Sequence, residues 1–330
     1  MNGGRSVIYN RNFANVILTG FLLGRNSIAI SIYNMNGKVV VITGANCGLG
    51  LHTAKALQAK GARVVMGCRS MERGEAAALE IHKKYPETEK PLVLQIDLSV
   101  LSSVEQFVEE FRARFRHLDV LINNAGIMSR DHLMSKGGVE LNFAVNHLGH
   151  FHLTNLLLPS LESSCDGRII IISSGLYRKV NAVPNIERLT NAKEPVENPY
   201  CVSKLANCLH TVALKRFLTT NSQVSVYAIR PGFVPGTELG RSTSWYLRKL
   251  AMPLMWMVGR SLDQGIQSTV HCATKPLAEL QSGSLYNLCE VEEYTSAVTK
   301  KSAEELWSLS ERLIKFAQNK EAHCLNTPVS

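Results

Sequence analysis

The sequence predicts an α/β fold: one doubly wound domain with a seven-stranded, mainly parallel sheet and helices on both faces. Three observations lead there. From Lys38 onward, short and continuously apolar runs alternate with longer helical patterns, as strands covered on both faces and crossover helices require. The first run leads directly into a glycine-rich turn that opens a helix. A chain of 330 residues at 45% hydrophobic and 19% charged is long and apolar enough for one large core.

The first strand is expected at 39–43, Val-Val-Val-Ile-Thr, followed by the turn and a helix beginning Leu51-His-Thr-Ala-Lys-Ala-Leu. The second lies at 63–67 and the third at 92–97, both rich in β-branched or aliphatic residues and bounded by polar turns. Val104, Phe107, Val108, Phe111 and Phe115 then recur at helical spacing with charges opposite, so this helix lays one stripe on the sheet. Further strands fall at 120–124, 169–173 and 224–229, and a seventh at 284–287. The domain is expected to span 36–320, between an N-terminal extension of 1–35 and a C-terminal tail of 321–330.

The net charge of +9 does not mark a nucleic-acid binder. The first 71 residues carry eight Lys or Arg and no acid, and the remainder is nearly neutral, with 28 basic and 27 acidic residues. The excess is therefore N-terminal, where an anionic cofactor or a membrane surface would use it, and it forms no basic stripe on a recognition element. Residues 13–32 are apolar but interrupted by Asn15, Arg25 and Asn26, and the clean part, 16–24, is shorter than the roughly 20 residues a bilayer span needs. An acid-free, Arg-containing start of this kind suits a membrane anchor or targeting segment, with the endoplasmic reticulum or mitochondrion as the expected location, and a disordered extension stays open beside that reading. The eight cysteines include no CxxC pair and read as buried hydrophobes on the reducing side of a membrane. His147, His150 and His152 have no carboxylate or cysteine beside them in sequence, which argues for a helix start and against a metal site.

The turn Thr43-Gly-Ala-Asn-Cys-Gly-Leu-Gly50 places Gly44, Gly48 and Gly50 where a strand-to-helix turn needs positive φ, close backbone approach and tight helix packing. With Asn46 and Leu49 between them, free N–H groups and the helix dipole would face a pyrophosphate. At the end of the second strand, where an acid would hold a ribose 2′-hydroxyl, the chain has Arg69, a fork for a 2′-phosphate. The cofactor is therefore expected to be NADP(H). Asp97 and Leu98 after the third strand, and Asn124, Ala125 and Gly126 after the fourth, lie at the carboxyl edge where such a cofactor binds.

Tyr200 is followed four residues later by Lys204, and no other of the nine tyrosines has that spacing. On a helix the pair shares one face. A phenol titrates near pH 10, and bringing it to neutrality takes about 4 kcal/mol, part of which a fixed positive charge can supply.

These motifs resemble the short-chain dehydrogenase/reductase family over nearly all of residues 36–315: TGxxxGxG at Thr43, DL at Asp97, NNAG at Asn123, VNHLGHF at Val145, a Ser pair at Ser173, YxxxK at Tyr200 and RPG at Arg230. The strings GKVVVITGAN and YCVSKLAN and the segment from Glu305 to Glu311 are similar to its retinol dehydrogenase-like branch. The resemblance implies a Rossmann-type fold and a catalytic tetrad: Asn146 for a helix kink and a relay water, Ser174 for the substrate oxygen, Tyr200 as acid and Lys204 as tuner of its acidity. It also implies that Lys204 bonds the nicotinamide ribose and that Pro231, Gly232, Val234 and Thr237 line the nicotinamide, with Thr237 at the carboxamide. The string Phe233-Val-Pro-Gly236 departs from the commoner branch pattern.

The implied reaction is hydride transfer between NADP(H) and a carbonyl or alcohol. The Met-, Trp- and Leu-rich segment 245–257 suits a lid over a lipophilic substrate such as a retinoid, steroid or fatty aldehyde, and equally suits a plain core helix. Two alternatives stay open, a non-catalytic NADP(H)-binding redox sensor and a reductase of a conjugated pigment double bond. Nothing in the sequence fixes the oligomeric state, and a homodimer is compatible with it.

Overall fold

The computed structural model describes residues 33–129, 131–218, 222–232 and 261–326, the side chains of 324–326 excepted. All belong to one compact unit that begins at Tyr33. The seven expected strands are present: β1 (Val39–Thr43), β2 (Arg63–Cys68), β3 (Leu92–Gln95), β4 (Val120–Asn123), β5 (Arg168–Ile172), β6 (Ser225–Ile229) and β7 (Leu285–Asn287). An eighth, β8 (Glu290–Glu292), joins them, and the order across the sheet is β3-β2-β1-β4-β5-β6-β7-β8. Every pairing is parallel except β7 with β8.

The long helices are α1 (Gly48–Gln58), α2 (Met71–Lys84), α3 (Leu101–Arg112), α4 (Gly149–Glu162), α5 (Pro199–Phe217), α6 (Leu262–Thr274) and α7 (Lys300–Asn326). Alternation along β1 sorts them into layers. Val40 and Ile42 point to one face with Ala54 and Leu57 of α1, Ile81 of α2 and Val270 of α6. Val39 and Val41 point to the other, with Val104, Phe107 and Phe111 of α3 and Leu153 and Leu157 of α4. A further layer forms where α7 packs its buried Ala303, Leu306 and Leu313 against Leu205 and Leu209 of α5.

β8 carries no apolar period, only Glu-Val-Glu, and its hairpin turns through Leu288 and Cys289, both at positive φ (52° and 65°) without the usual Asn-Gly signal. The C-terminal boundary also differs from expectation. Helix α7 runs through Asn326, so the helix does not stop at 320, and Glu321 is buried. No helix among the described residues is long and apolar enough to cross a membrane, and the segment read as an anchor lies almost entirely outside them.

At the amino edge of the sheet, buried Asp119 ties three elements together. Its carboxylate accepts from the Val39 N–H at 2.8 Å, Lys38 Nζ at 2.9 Å and Ser164 Oγ at 2.7 Å. Burial pushes this acid upward, but the bonds from Ser164, Lys38 and Val39 outweigh it and leave its pKa below the ordinary 3.8. A carboxylate depressed in the fold contributes stability above its unfolded pKa and loses it as pH falls through the folded value. Asp119→Ala is therefore expected to cost about 3 kcal/mol in urea denaturation at pH 7. The gap from wild type should narrow as the pH is taken below about 4.

Candidate active site

The strand order reverses between β1 and β4, and the crevice beyond their carboxyl ends is where such sheets take ligands. Thr43, the last residue of β1, organises this point. Its Oγ1 accepts the backbone N–H groups of Asn124 at 2.9 Å and Ala125 at 3.0 Å. Asn124 returns the bond, donating Nδ2 to the Thr43 carbonyl at 2.7 Å. Oγ1 also lies 2.8 Å from His150 Nε2. The other ring nitrogen, Nδ1, faces the Asn146 carbonyl at 3.1 Å, and a carbonyl only accepts. Nδ1 must therefore carry the proton, and Nε2 accepts from the threonine hydroxyl. Burial keeps this imidazole neutral, with its pKa at about 3. The three histidines singled out in the sequence thus act in packing and hydrogen bonding: His147 meets Ser310 Oγ at 2.9 Å and His152 meets Glu105 at 3.0 Å.

The glycine turn is a cradle with no room for side chains. Gly44 and Gly48 have φ of 66° and 54°, and a Cβ on Gly50 would lie 2.3 Å from the Gly44 carbonyl oxygen and 2.5 Å from Asn124 Nδ2. Helix α1 opens with no side-chain cap from Cys47 and no acid in its first turn, so its N–H groups and positive end face the crevice, with Asn46 and Leu49 half-buried in the turn. The lack of Cβ atoms, the uncapped helix end and the absence of negative charge fit a dinucleotide pyrophosphate. Arg69 is exposed just beyond β2, and its guanidinium enters no ion pair among the described residues. Asp97 is half-buried past β3, its Oδ1 accepting Ser99 N–H at 2.9 Å and Ser99 Oγ at 2.6 Å, while Leu98 is buried.

Two asparagines four residues apart hold the loop after Gly126. Asn146 clasps both backbone groups of Ile127, accepting its N–H at 2.8 Å and donating to its carbonyl at 2.9 Å. Asn142 does the same for Ser129, at 2.8 and 3.2 Å. Asn146 also donates Nδ2 to Ser203 Oγ at 2.9 Å, which ties the loop to α5. The helix carrying Asn146 opens into a π turn over Ala144–Leu148 before α4 begins. Thr43 and Asn142 escaped the sequence reading. The signals were a hydroxyl ending a buried strand and a second asparagine at helical spacing.

Tyr200 and Lys204 lie on the first two turns of α5, both buried. Lys204 Nζ sits 5.7 Å from the centre of the Tyr200 ring and donates to the Ile172 carbonyl at 3.0 Å. Ser174, just past β5, lies beside the Tyr200 hydroxyl and draws its pKa downward. A Cβ on Gly126 would come within 3.3 Å of Asn146 Oδ1 and 3.5 Å of Lys204 Nζ, so the four tetrad candidates and the NNAG loop share one neighbourhood. The ionisation differs from expectation. Burial pushes the Tyr200 phenol above 10 and Ser174 offsets this only in part, while burial draws Lys204 down to about 8. Desolvation dominates both groups, so in the polypeptide alone the phenol stays above its ordinary value although Lys204 shares its helix face.

Behind Ser174, Glu292 of β8 accepts from Arg178 and, at 2.8 Å, from Arg230 Nε. Pro231 and Gly232 follow, the latter at φ 81°. Val234, Thr237 and the segment 245–257 lie outside the described residues.

A cradle that fits a dinucleotide, beside half-buried Ser174 and the buried Tyr200 and Lys204, defines a nicotinamide-dependent oxidoreductase of the Rossmann type. The family model for short chain dehydrogenases matches residues 38–245. Human retinol dehydrogenase 14 is 38% identical over 299 residues, covering 85% of this chain and 87% of its own length. Human retinol dehydrogenase 11 is also 38% identical, covering 86% and 88%. Among solved structures, an uncharacterized protein of Mycobacterium paratuberculosis superposes with a TM-score of 0.66 at 32% identity, covering 86% of this chain and 95% of that one. A short chain dehydrogenase of Shigella flexneri complexed with NADP gives 0.61 at 20% identity, covering 79% and 100%. The protein belongs to the short-chain dehydrogenase family and is an enzyme related to the retinol dehydrogenases.

Gly50→Ala should weaken dinucleotide binding by at least about tenfold in calorimetric titration, because the new methyl forces the Gly44 carbonyl and Asn124 apart.

Proposed function

We propose that the protein interconverts a lipophilic alcohol and its aldehyde or ketone with NADP(H), using Tyr200 as acid and base. The observation that carries this is the convergence of Ser174, Tyr200 and Lys204 beside Gly126 and the glycine cradle. When bound, the nicotinamide supplies or accepts the hydride. Ser174 donates a hydrogen bond to the substrate oxygen, where negative charge develops during reduction, and Tyr200 hands that oxygen its proton. In oxidation the roles reverse: Tyr200 must first give up its own proton, and its phenolate then takes the alcohol proton. Asn146 positions Tyr200 and Lys204 through Ser203, whose hydroxyl donates to the Tyr200 carbonyl at 2.8 Å. Gly44, Gly48 and Gly50 receive the pyrophosphate, Asp97 and Leu98 border the adenine, and Asn124, Ala125 and Gly126 line the ribose side.

The absence of an acid after β2 and the exposed guanidinium of Arg69 favour NADP(H) over NAD(H). A lipophilic substrate is favoured by the similarity to retinol dehydrogenases 14 and 11. Membrane association through residues 1–35 remains part of the proposal on sequence grounds alone.

Tyr200→Phe should abolish turnover across a panel of retinoid, steroid and fatty aldehydes while the Kd for NADPH stays within about threefold; retained turnover would remove Tyr200 from the mechanism. Arg69→Asp should weaken NADPH by roughly 10- to 100-fold and leave NADH nearly unchanged, and equal losses would reject the 2′-phosphate assignment.

A further inference from the structure

Helix α3 begins without a cap of its own. Val100 offers no side-chain acceptor and the first turn holds no acid, yet a helix start leaves several N–H groups in need of partners. Partners arrive from the far end of the chain. Glu321 Oε1 accepts the Leu101 N–H at 2.9 Å and Oε2 accepts the Ser102 N–H at 3.3 Å, across 220 and 219 residues of sequence. Glu321 is 8% exposed, and no cation pairs with its carboxylate among the described residues. The two N–H groups and the positive end of α3 therefore compensate its burial.

The capped turn reaches the cofactor edge within a few bonds. Val100 N–H donates to the Asp97 carbonyl at 3.0 Å, and the Asp97 N–H donates to Ser103 Oγ at 2.9 Å. Leu98 is wedged against α4, where a Cβ on Gly149 would lie 2.3 Å from the Leu98 carbonyl oxygen. The same turn of α7 closes on the loop leading to Asn142. A Cβ on Gly137 would meet Ala317 at 2.6 Å, and one on Gly138 would meet Lys320 Nζ at 2.5 Å.

We propose that Glu321 is a positioning residue for the adenosine half of the dinucleotide site: by capping α3 it holds the segment 97–102 in place. The inference rests on reading this edge as an NADP(H) site. It adds a control point in the last turns of the chain, more than 200 residues from the loop it fixes.

The test uses the full chain with Glu321→Ala and Glu321→Gln, titrated calorimetrically with adenosine 2′,5′-bisphosphate and with nicotinamide mononucleotide, alongside amide hydrogen exchange. Glu321→Ala should weaken the bisphosphate about tenfold, leave the mononucleotide within about twofold, and speed exchange at Leu101 and Ser102 at least about tenfold. Glu321→Gln, which keeps the volume and one acceptor oxygen, should fall between, and it carries both measurements if the alanine variant does not fold. Unchanged exchange at Leu101 and Ser102, or equal losses for the two fragments, overturns the inference while leaving the cofactor assignment intact. Failure of the wild type to bind the bisphosphate overturns both.

Discussion

A single buried hydroxyl, that of Thr43, holds together the three strings of sequence on which the site is built. It accepts two N–H groups of the NNAG loop and donates to His150, whose other nitrogen reaches the carbonyl of Asn146. The glycine cradle begins one residue later. The position of Asn146, and through Ser203 that of Tyr200, thus traces back to the end of β1. In a dry interior each of these polar groups is tolerable only because the others satisfy it, so the arrangement is held as a unit. Neutrality of His150 belongs to the same logic, since an imidazolium would point an Nε2–H at a hydroxyl oxygen that already accepts from Asn124 and Ala125.

Burial also governs the proton chemistry. Removing Tyr200 and Lys204 from water disfavours the ionised form of each, which raises the phenol and lowers the amine. At neutral pH the polypeptide alone holds both groups protonated, a state loaded for proton donation. The ammonium earns its stability from a backbone carbonyl rather than from a carboxylate, so its charge is free to act on whatever occupies the crevice. Ser174 is the side chain that tempers the phenol directly, a role the Tyr-to-Lys spacing could not reveal.

Much of this was legible in the chain because it follows from strong local rules. Strands buried on both faces must be continuously apolar, and a glycine turn between strand and helix has few other uses, so seven strands and the cradle could be placed from pattern alone. What escaped depends on partners distant in sequence. Glu321 looked like the start of a tail, although it continues the spacing of Ala303, Leu306, Ser310, Leu313 and Ala317, and a carboxylate on such a stripe implies a buried donor. β8 is three residues long and is fixed by pairing with β7 rather than by its own composition. The ionisation of Tyr200 could not be inferred, because the depth of burial is a property of the assembled fold.

The hairpin formed by β7 and β8 has an effect that reaches past its modest size. Glu292 serves two guanidinium groups with one negative charge, and Arg230 lies close enough to the Gly175 backbone that a Cβ there would sit 3.5 Å from it. The cluster of Arg178, Arg230 and Glu292 thus keeps one elementary positive charge behind the turn that presents Ser174. Glu292 also fastens the turn after Ser174, through Arg178, to the strand end that leads into Pro231 and Gly232, through Arg230.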